Sequence, residues 1–337
     1  MITRHASLLE INQLNVDIGD RRGGGARRVL ENISLSLRQG EKLGIVGESG
    51  CGKSMTALSI MGLLPRGTAI SSGSISFGGK ELTAMKEEGW ESVRGREMAM
   101  IFQDPLSSLN PVMTIGEQLT EGIRLHLGLS RREARAHASV MLQKVGMARA
   151  GQLLDEYPHR LSGGMRQRVM IAMALACSPM LLIADEPTTA LDVTVQAQIL
   201  ELMKRLNETE GTAMILISHD LGVIAEMCDR VVVMYAGEIV EIGTVEQLFS
   251  APRHPYTVAL MNARPRPDRK GIPLATIPGK VPAPGERDSG CSFRDRCAFA
   301  ASACASRESL LLPAGEGHEV RCLLAEGRRE ELQVAYA

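Results

Sequence analysis

Eight consecutive residues, Gly47-Glu48-Ser49-Gly50-Cys51-Gly52-Lys53-Ser54, fit G-x-x-x-x-G-K-[ST] at every fixed position. Glycines let the backbone turn tightly, so that successive N–H groups face one anionic centre. A helix N-terminus behind them adds partial positive charge. Lys53 then reaches the outer phosphates of a nucleotide, and the Ser54 hydroxyl is placed to bind Mg²⁺. A second group of residues has the chemistry to complete such a site. Asp185 and Glu186 follow the apolar run Met180–Ala184, at the strand end where ligands bind in a parallel sheet. Asp185 suits Mg²⁺, and Glu186, one step further out, suits orientation and deprotonation of an attacking water. Leu161-Ser162-Gly163-Gly164-Met165 opens a further helix with a hydroxyl and two glycines, a second anion site.

The elements that must position these groups are legible around them. Leu43-Gly44-Ile45-Val46 is a strand leading into the loop, and Met55–Leu64 is a helix that stops at Pro65. Residues 8–18 alternate loosely as an edge strand, Arg21–Arg28 is a flexible hairpin tip, and Val29–Leu37 is a second strand. Ser71–Gly79 reads as another hairpin on short β segments, and Met98–Phe102 as a buried strand ending at Gln103. Ser130-Arg131-Arg132-Glu133 is a capping box. Behind it Ala134, Ala138, Met141, Leu142 and Val145 recur at helical spacing, with Gly146 as a stop. Met165–Ala176 is helical, Met180–Ala184 a central strand, and Val195, Ile199, Leu202, Met203 and Leu206 the inner face of the next helix. Ala213–Ile217 and Arg230–Tyr235 are two further strands. Strands alternating with helices imply a parallel α/β sheet, with a helical insert between about 104 and 160.

Composition narrows the function class. Lys+Arg 38 against Asp+Glu 39 leaves no basic surplus, and 3% aromatic residues provide no base-stacking platform, so nucleic acid is not an expected partner. The longest apolar run, Val169–Cys177, falls short of the ~20 residues of a spanning helix, and the N-terminus lacks a signal-peptide h-region. The chain therefore reads as soluble and intracellular, which leaves docking on a membrane protein open. No heptad run or long repeat is present.

The motifs in their order resemble the ATPase subunits of ABC transporters over residues 8 to about 250. The matches are Gly47–Ser54, Gln103 after its strand, Leu161–Met165, Asp185-Glu186, Ala190-Leu191-Asp192 and Ser218-His219-Asp220. The resemblance implies a RecA-like P-loop NTPase core of the α/β class, with an antiparallel β subdomain and an inserted helical subdomain at about 104–164. It also implies roles: Lys53 and Ser54 on the β/γ-phosphates and Mg²⁺, and Gln103 sensing Mg²⁺ and the attacking water. Asp185 would assist with Mg²⁺, Glu186 would be the general base and His219 the γ-phosphate contact. Ser162, Gly163 and Gly164 would clamp ATP bound to a partner subunit, and Asp192 would tie the two sites together. One departure is that no Phe, Tyr or Trp precedes Phe77, where the family stacks adenine on an aromatic ring near Ile18. Adenine is expected to rest on Ile18 or Arg28 instead, with modest base discrimination.

A narrower resemblance is to the oligopeptide/dipeptide/nickel importer branch. It rests on Phe102–Pro111, Tyr157-Pro158-His159, Gly164–Arg168 and Arg253-His254-Pro255-Tyr256-Thr257. This implies a domain over 1–262 and an extension over 263–337, small and irregular, after a proline-rich stretch from Pro265 to Pro284. The implied partners are a second, different ATPase subunit, two membrane-spanning permeases and an extracytoplasmic binding protein. The implied location is the cytoplasmic face of the inner membrane, with peptides as cargo and nickel or another small solute as the alternative. A non-transport ABC ATPase acting on DNA or ribosomes is the rival, disfavoured by the single cassette and the absence of coiled coils.

Seven cysteines divide unevenly. Cys51, Cys177 and Cys228 read as small packing residues. Cys291, Cys297, Cys304 and Cys322 crowd the tail as C-x₅-C-x₆-C-x₁₇-C. Four thiolates can close around a [4Fe–4S] cluster or a tetrahedral Zn²⁺, and the spacing does not choose between these, a disulfide or free thiols. The family resemblance favours the iron–sulfur cluster.

Overall fold

The computed structural model describes residues 7–19, 25–104, 108–188, 192–263, 276–286, 289–306 and 309–323. Two units emerge, one of residues 38–42 with 84–217, the other of residues 7–37 and 43–83 with the chain from 218 onward.

In the first unit three parallel strands stand in register: β6 (Met98–Ile101), β7 (Leu181–Asp185) and β8 (Ala213–Ile217), with β7 between the others. Every residue of β7 and β8 is buried, which is why both read as unbroken apolar runs rather than alternating ones. Helices cover Ile115–Leu127, Arg131–Lys144, Gly163–Leu175 and Val193–Glu210. The Ser130/Glu133 capping box forms as expected, and Thr114/Glu117 makes a second one. Asp192 caps the start of Val193–Glu210 and Gly211 ends it in the left-handed region, at φ 67°.

The second unit contains an antiparallel sheet in the order β2-β1-β4-β5, formed by β1 (Ser7–Gly19), β2 (Ala26–Arg38), β4 (Thr68–Phe77) and β5 (Lys80–Glu81). Two expectations are corrected here. Residues 8–18 are not an edge strand, because β2 and β4 flank β1 on both sides. Nor does a hairpin lie within Ser71–Gly79: one continuous strand runs to Phe77, and the turn falls at Gly78 and Gly79, both at positive φ. Of the expected hairpin tip, residues 21–24 lie outside the described residues, and Ala26–Arg28 already belong to β2.

In the same unit β3 (Lys42–Val46) runs parallel to β9 (Arg230–Tyr235), and β9 turns back into β10 (Glu238–Thr244). The turn is Ala236-Gly237, where a Cβ on Gly237 would stand 2.1 Å from the Val29 carbonyl oxygen. The tail is largely irregular, but two short strands, β11 (Leu312–Gly315) and β12 (His318–Val320), extend the edge of β10. Buried His318 of β12 meets Glu241 of β10 at 2.8 Å. Among the described residues no helix is long and apolar enough to cross a membrane.

Candidate functional site

The phosphate loop joins β3 to the helix Lys53–Ile60. Gly47, Gly50 and Gly52 take φ of 153°, 81° and 105°. A side chain at Gly47 would also put a Cβ 2.2 Å from the Met234 carbonyl oxygen and 2.6 Å from Cys51 Sγ. The loop is thus closed by backbone contacts that only glycine allows. Lys53 is buried, its Nζ donating to the carbonyls of Gly47 at 2.8 Å and Glu48 at 3.0 Å. Ser54, Ser49 and Gly50 are exposed. Burial raises the Cys51 thiol above its ordinary range although Lys53 beside it acts the other way. His219 belongs to the same unit: the Ser218 N–H donates to the Ile45 carbonyl at 3.3 Å, so exposed His219 follows a contact with the loop's own strand.

In the other unit Gln103 Nε2 donates to Glu186 Oε2 at 3.1 Å. Asp185 closes β7 and is buried, at 5% exposure. Glu186 sits one residue beyond at φ 48°, its N–H donating to the Ile217 carbonyl at 2.9 Å. A non-glycine residue in the left-handed region costs on the order of 1 kcal/mol or more, and such strain clusters at functional sites. Ser162 caps the helix Gly163–Leu175 by accepting from the Met165 N–H. Gly164 packs against Val195, and a Cβ there would stand 2.8 Å from Val195 Cγ1. Asp192 is exposed and accepts from the Val195 N–H at 3.0 Å. Ala190 and Leu191 lie outside the described residues. Of the two surfaces expected for adenine, Arg28 is engaged by Asp17 and by Asn15 Oδ1, whereas Ile18 is 38% exposed.

The tail brings its four cysteines to one pocket, with Pro255 and Phe293 as apolar walls and His254, Arg294 and Leu323 completing the lining. All are free thiols. Burial, reinforced by the neighbouring cysteines, pushes Cys291 and Cys297 up to about 11. Four sulfurs sharing an apolar pocket fit the donor chemistry of a thiophilic centre. Among the described residues, however, no group of three or more Cys, His, Asp or Glu is arranged as a metal site. His254 is fully enclosed, and burial pushes it down to about 4.

Three residues beside the loop lie outside its motif. Tyr256 Oη accepts from the Glu48 N–H at 2.9 Å. Arg296 pairs with the Glu48 carboxylate through both terminal nitrogens, at 2.7 and 3.0 Å. Tyr235 lies between them, its ring 4.7 Å from that of Tyr256 at a 59° tilt and 5.7 Å from the Arg296 guanidinium. Burial works against the Arg296 charge, yet the hydrogen bonds that it donates to Glu48 and Tyr235 outweigh this and hold its pKa above the ordinary value. Of the three, Tyr256 lies in the sequence marker Arg253-His254-Pro255-Tyr256-Thr257, which assigns it no role at the loop.

Residues 30–189 match the family model "ABC transporter", and residues 240–304 match "Oligopeptide/dipeptide transporter, C-terminal region". The chain is 49% identical over 322 residues to the oligopeptide transport ATP-binding protein AppD of Bacillus subtilis, covering 95% of this chain and 98% of that one. It is 46% identical over 316 residues to the dipeptide transport ATP-binding protein DppD of Escherichia coli, covering 94% and 96%. Among solved structures it is similar to the dimeric ATP-binding cassette MJ0796 in a post-hydrolysis state bound to ADP and Pi. There the TM-score is 0.63 and the identity 27%, over 70% of this chain and 98% of that one.

Proposed function

Because the chain belongs to the ATP-binding subunits of the oligopeptide/dipeptide ABC transporter family, we propose that it hydrolyses ATP to energise uptake of di- and oligopeptides. The observation that carries the hydrolytic part is the Gln103–Glu186 hydrogen bond at the end of β7. A carboxylate held by an amide at a strand end supports the reading of Glu186 as the base.

In this reading the loop Gly47–Ser54 cradles the phosphates with its N–H groups other than that of Glu48, which Tyr256 engages, and Lys53 swings from the loop carbonyls to the β/γ-phosphates. Ser54, Asp185 and Gln103 are the residues that would hold Mg²⁺, which when bound would neutralise charge on the phosphates. Glu186 takes a proton from water while Gln103 orients it, and the water oxygen bonds to the γ-phosphorus as the bond to ADP breaks. His219 contacts the γ-phosphate. Ser162, Gly163 and Gly164 serve the ATP of a second ATPase subunit, a related but different chain, and Asp192 links the two sites. Exposed Ile18 is the adenine surface, since Arg28 is engaged elsewhere.

The division at 262/263 separates this ATPase domain from the cysteine extension. Its four thiols, Cys291, Cys297, Cys304 and Cys322, would be the ligands of a [4Fe–4S] cluster, with Zn²⁺ as the second possibility. The pair of ATPase subunits docks peripherally under two permeases on the cytoplasmic face of the inner membrane, fed by an external binding protein. Likeness to AppD and DppD supports the peptide cargo. The test is reconstitution of the four-subunit transporter in liposomes with its binding protein. ATP-dependent accumulation of labelled dipeptide supports the reading, whereas uptake of Ni²⁺ and not peptide reassigns the cargo. Iron and zinc analysis of anaerobically purified protein tests the thiol centre: metal below one equivalent per chain refutes it.

A further inference from the structure

Glu48 is a puzzle within the phosphate loop. It places a carboxylate, its side chain 29% exposed, inside a loop built to receive a polyanion. Like charges at such range oppose binding unless one is neutralised. The neutralising group comes from 248 residues away in sequence. Arg296 lies in the tail between Cys291 and Cys297, its side chain 5% exposed.

All five of its N–H donors find acceptors. Nε donates to the Pro278 carbonyl at 2.6 Å. Nη1 serves Glu48 Oε2 at 2.7 Å and Tyr235 Oη at 3.4 Å. Nη2 serves Glu48 Oε1 at 3.0 Å and the Ile277 carbonyl at 3.2 Å. A guanidinium so fully engaged has one orientation, and that orientation is a fork on the carboxylate. Glu48 is held from outside the loop at two points, its carboxylate by Arg296 and its N–H by Tyr256 Oη.

We propose that Arg296 is a positioning residue of the ATP site, neutralising and anchoring Glu48 so that the phosphate loop accepts the triphosphate. The proposal rests on the assignment of Gly47–Ser54 as the ATP site, and adds that the tail completes that site electrostatically. A purely structural staple between tail and loop would use the same contacts, so the test must separate charge from anchoring.

The experiment measures ATP and ADP affinity of the full chain by calorimetry for wild type, Arg296→Ala, Arg296→Lys and the double variant Glu48→Gln/Arg296→Ala. Arg296→Ala weakens ATP by about tenfold or more, and ADP less, because the loop that receives the polyanion then carries an uncompensated carboxylate. Arg296→Lys recovers part of the loss, since charge is kept without the fork. The double variant, which removes both charges, returns ATP affinity to within about twofold of wild type. Wild-type affinity in Arg296→Ala overturns the proposal, as does a double variant as weak as the single one, which would mark a staple only. A wild-type chain that binds no ATP overturns the assignment of the loop itself and this inference with it.

Discussion

Gln103 Nε2 donates to Glu186 Oε2 at 3.1 Å, and the glutamate that accepts this bond sits at φ 48°, held by the Ile217 carbonyl. Two strand ends, β6 and β7, thereby deliver an amide and a carboxylate to one point. The strained backbone at Glu186 turns its side chain away from the direction that continued β7 geometry would give it. Strain of this kind survives only where its surroundings over-determine it, and here the N–H to Ile217 and the Gln103 amide do so.

Removing the amide should therefore disorient Glu186, the proposed base, without touching the phosphate loop. Gln103→Ala is expected to lower kcat by roughly 10- to 100-fold with ATP affinity little changed. Steady-state ATPase kinetics beside equilibrium ATP binding check this; an affinity loss as large as the rate loss would place Gln103 in binding instead.

Gly47→Ala should abolish nucleotide binding. Its Cβ would stand 2.2 Å from the Met234 carbonyl oxygen, with φ at 153°, so the loop must move off β9. A stability loss of about 1–3 kcal/mol accompanies it. Thermal unfolding with and without ATP measures both effects, and an ATP-induced rise in Tm equal to that of wild type would contradict the geometry.

Gly164 offers a sharper contrast, because its obstacle is a side chain. Gly164→Ala meets Val195 Cγ1 at 2.8 Å and should cost about 1–3 kcal/mol through overpacking. Introduced into a Val195→Ala background, the same substitution should cost much less. Denaturant unfolding of the four variants of this cycle reads the coupling directly, and additive costs would refute it.

Glu241 is fully buried, and its carboxylate accepts from the N–H groups of Arg253 and His254 and from His318 Nε2. Glu241→Ala leaves three donors stranded and should cost about 3–5 kcal/mol. Because His318 belongs to β12, the tail should loosen first. Limited proteolysis should cut the variant within residues 309–323 under conditions that spare the wild type; unchanged resistance would contradict that order.

The sequence disclosed what is local and periodic. β8 and β9 carry the bounds expected of them, Ala213–Ile217 and Arg230–Tyr235, because an apolar run between turn residues is self-contained information. The Ser130/Glu133 cap is equally local. Long-range partnership was hidden. β1 looked like an edge because nothing within residues 7–19 announces that β4 will pair with it some fifty residues later. β10 carries no clear strand signal because Glu241 interrupts its apolar pattern, and a buried carboxylate is recognisable only once its three donors are in place. Tyr256 and Arg296 reach Glu48 across still longer separations, and neither residue type at those positions signals a phosphate loop. The cysteines of the tail were legible as a set, and their meeting at one pocket follows from the fold; what they bind depends on sulfur positions that spacing does not encode.

The central claim is that Glu186 acts as the base of an ATP-hydrolysing site. Single-turnover hydrolysis by Glu186→Gln, measured beside its ATP affinity in the assembled transporter, tests it most directly. The amide keeps the volume and still accepts from Gln103, so ATP should bind as in wild type while hydrolysis falls by about a hundredfold or more. Hydrolysis within a few-fold of wild type in a variant that binds ATP normally would contradict the account.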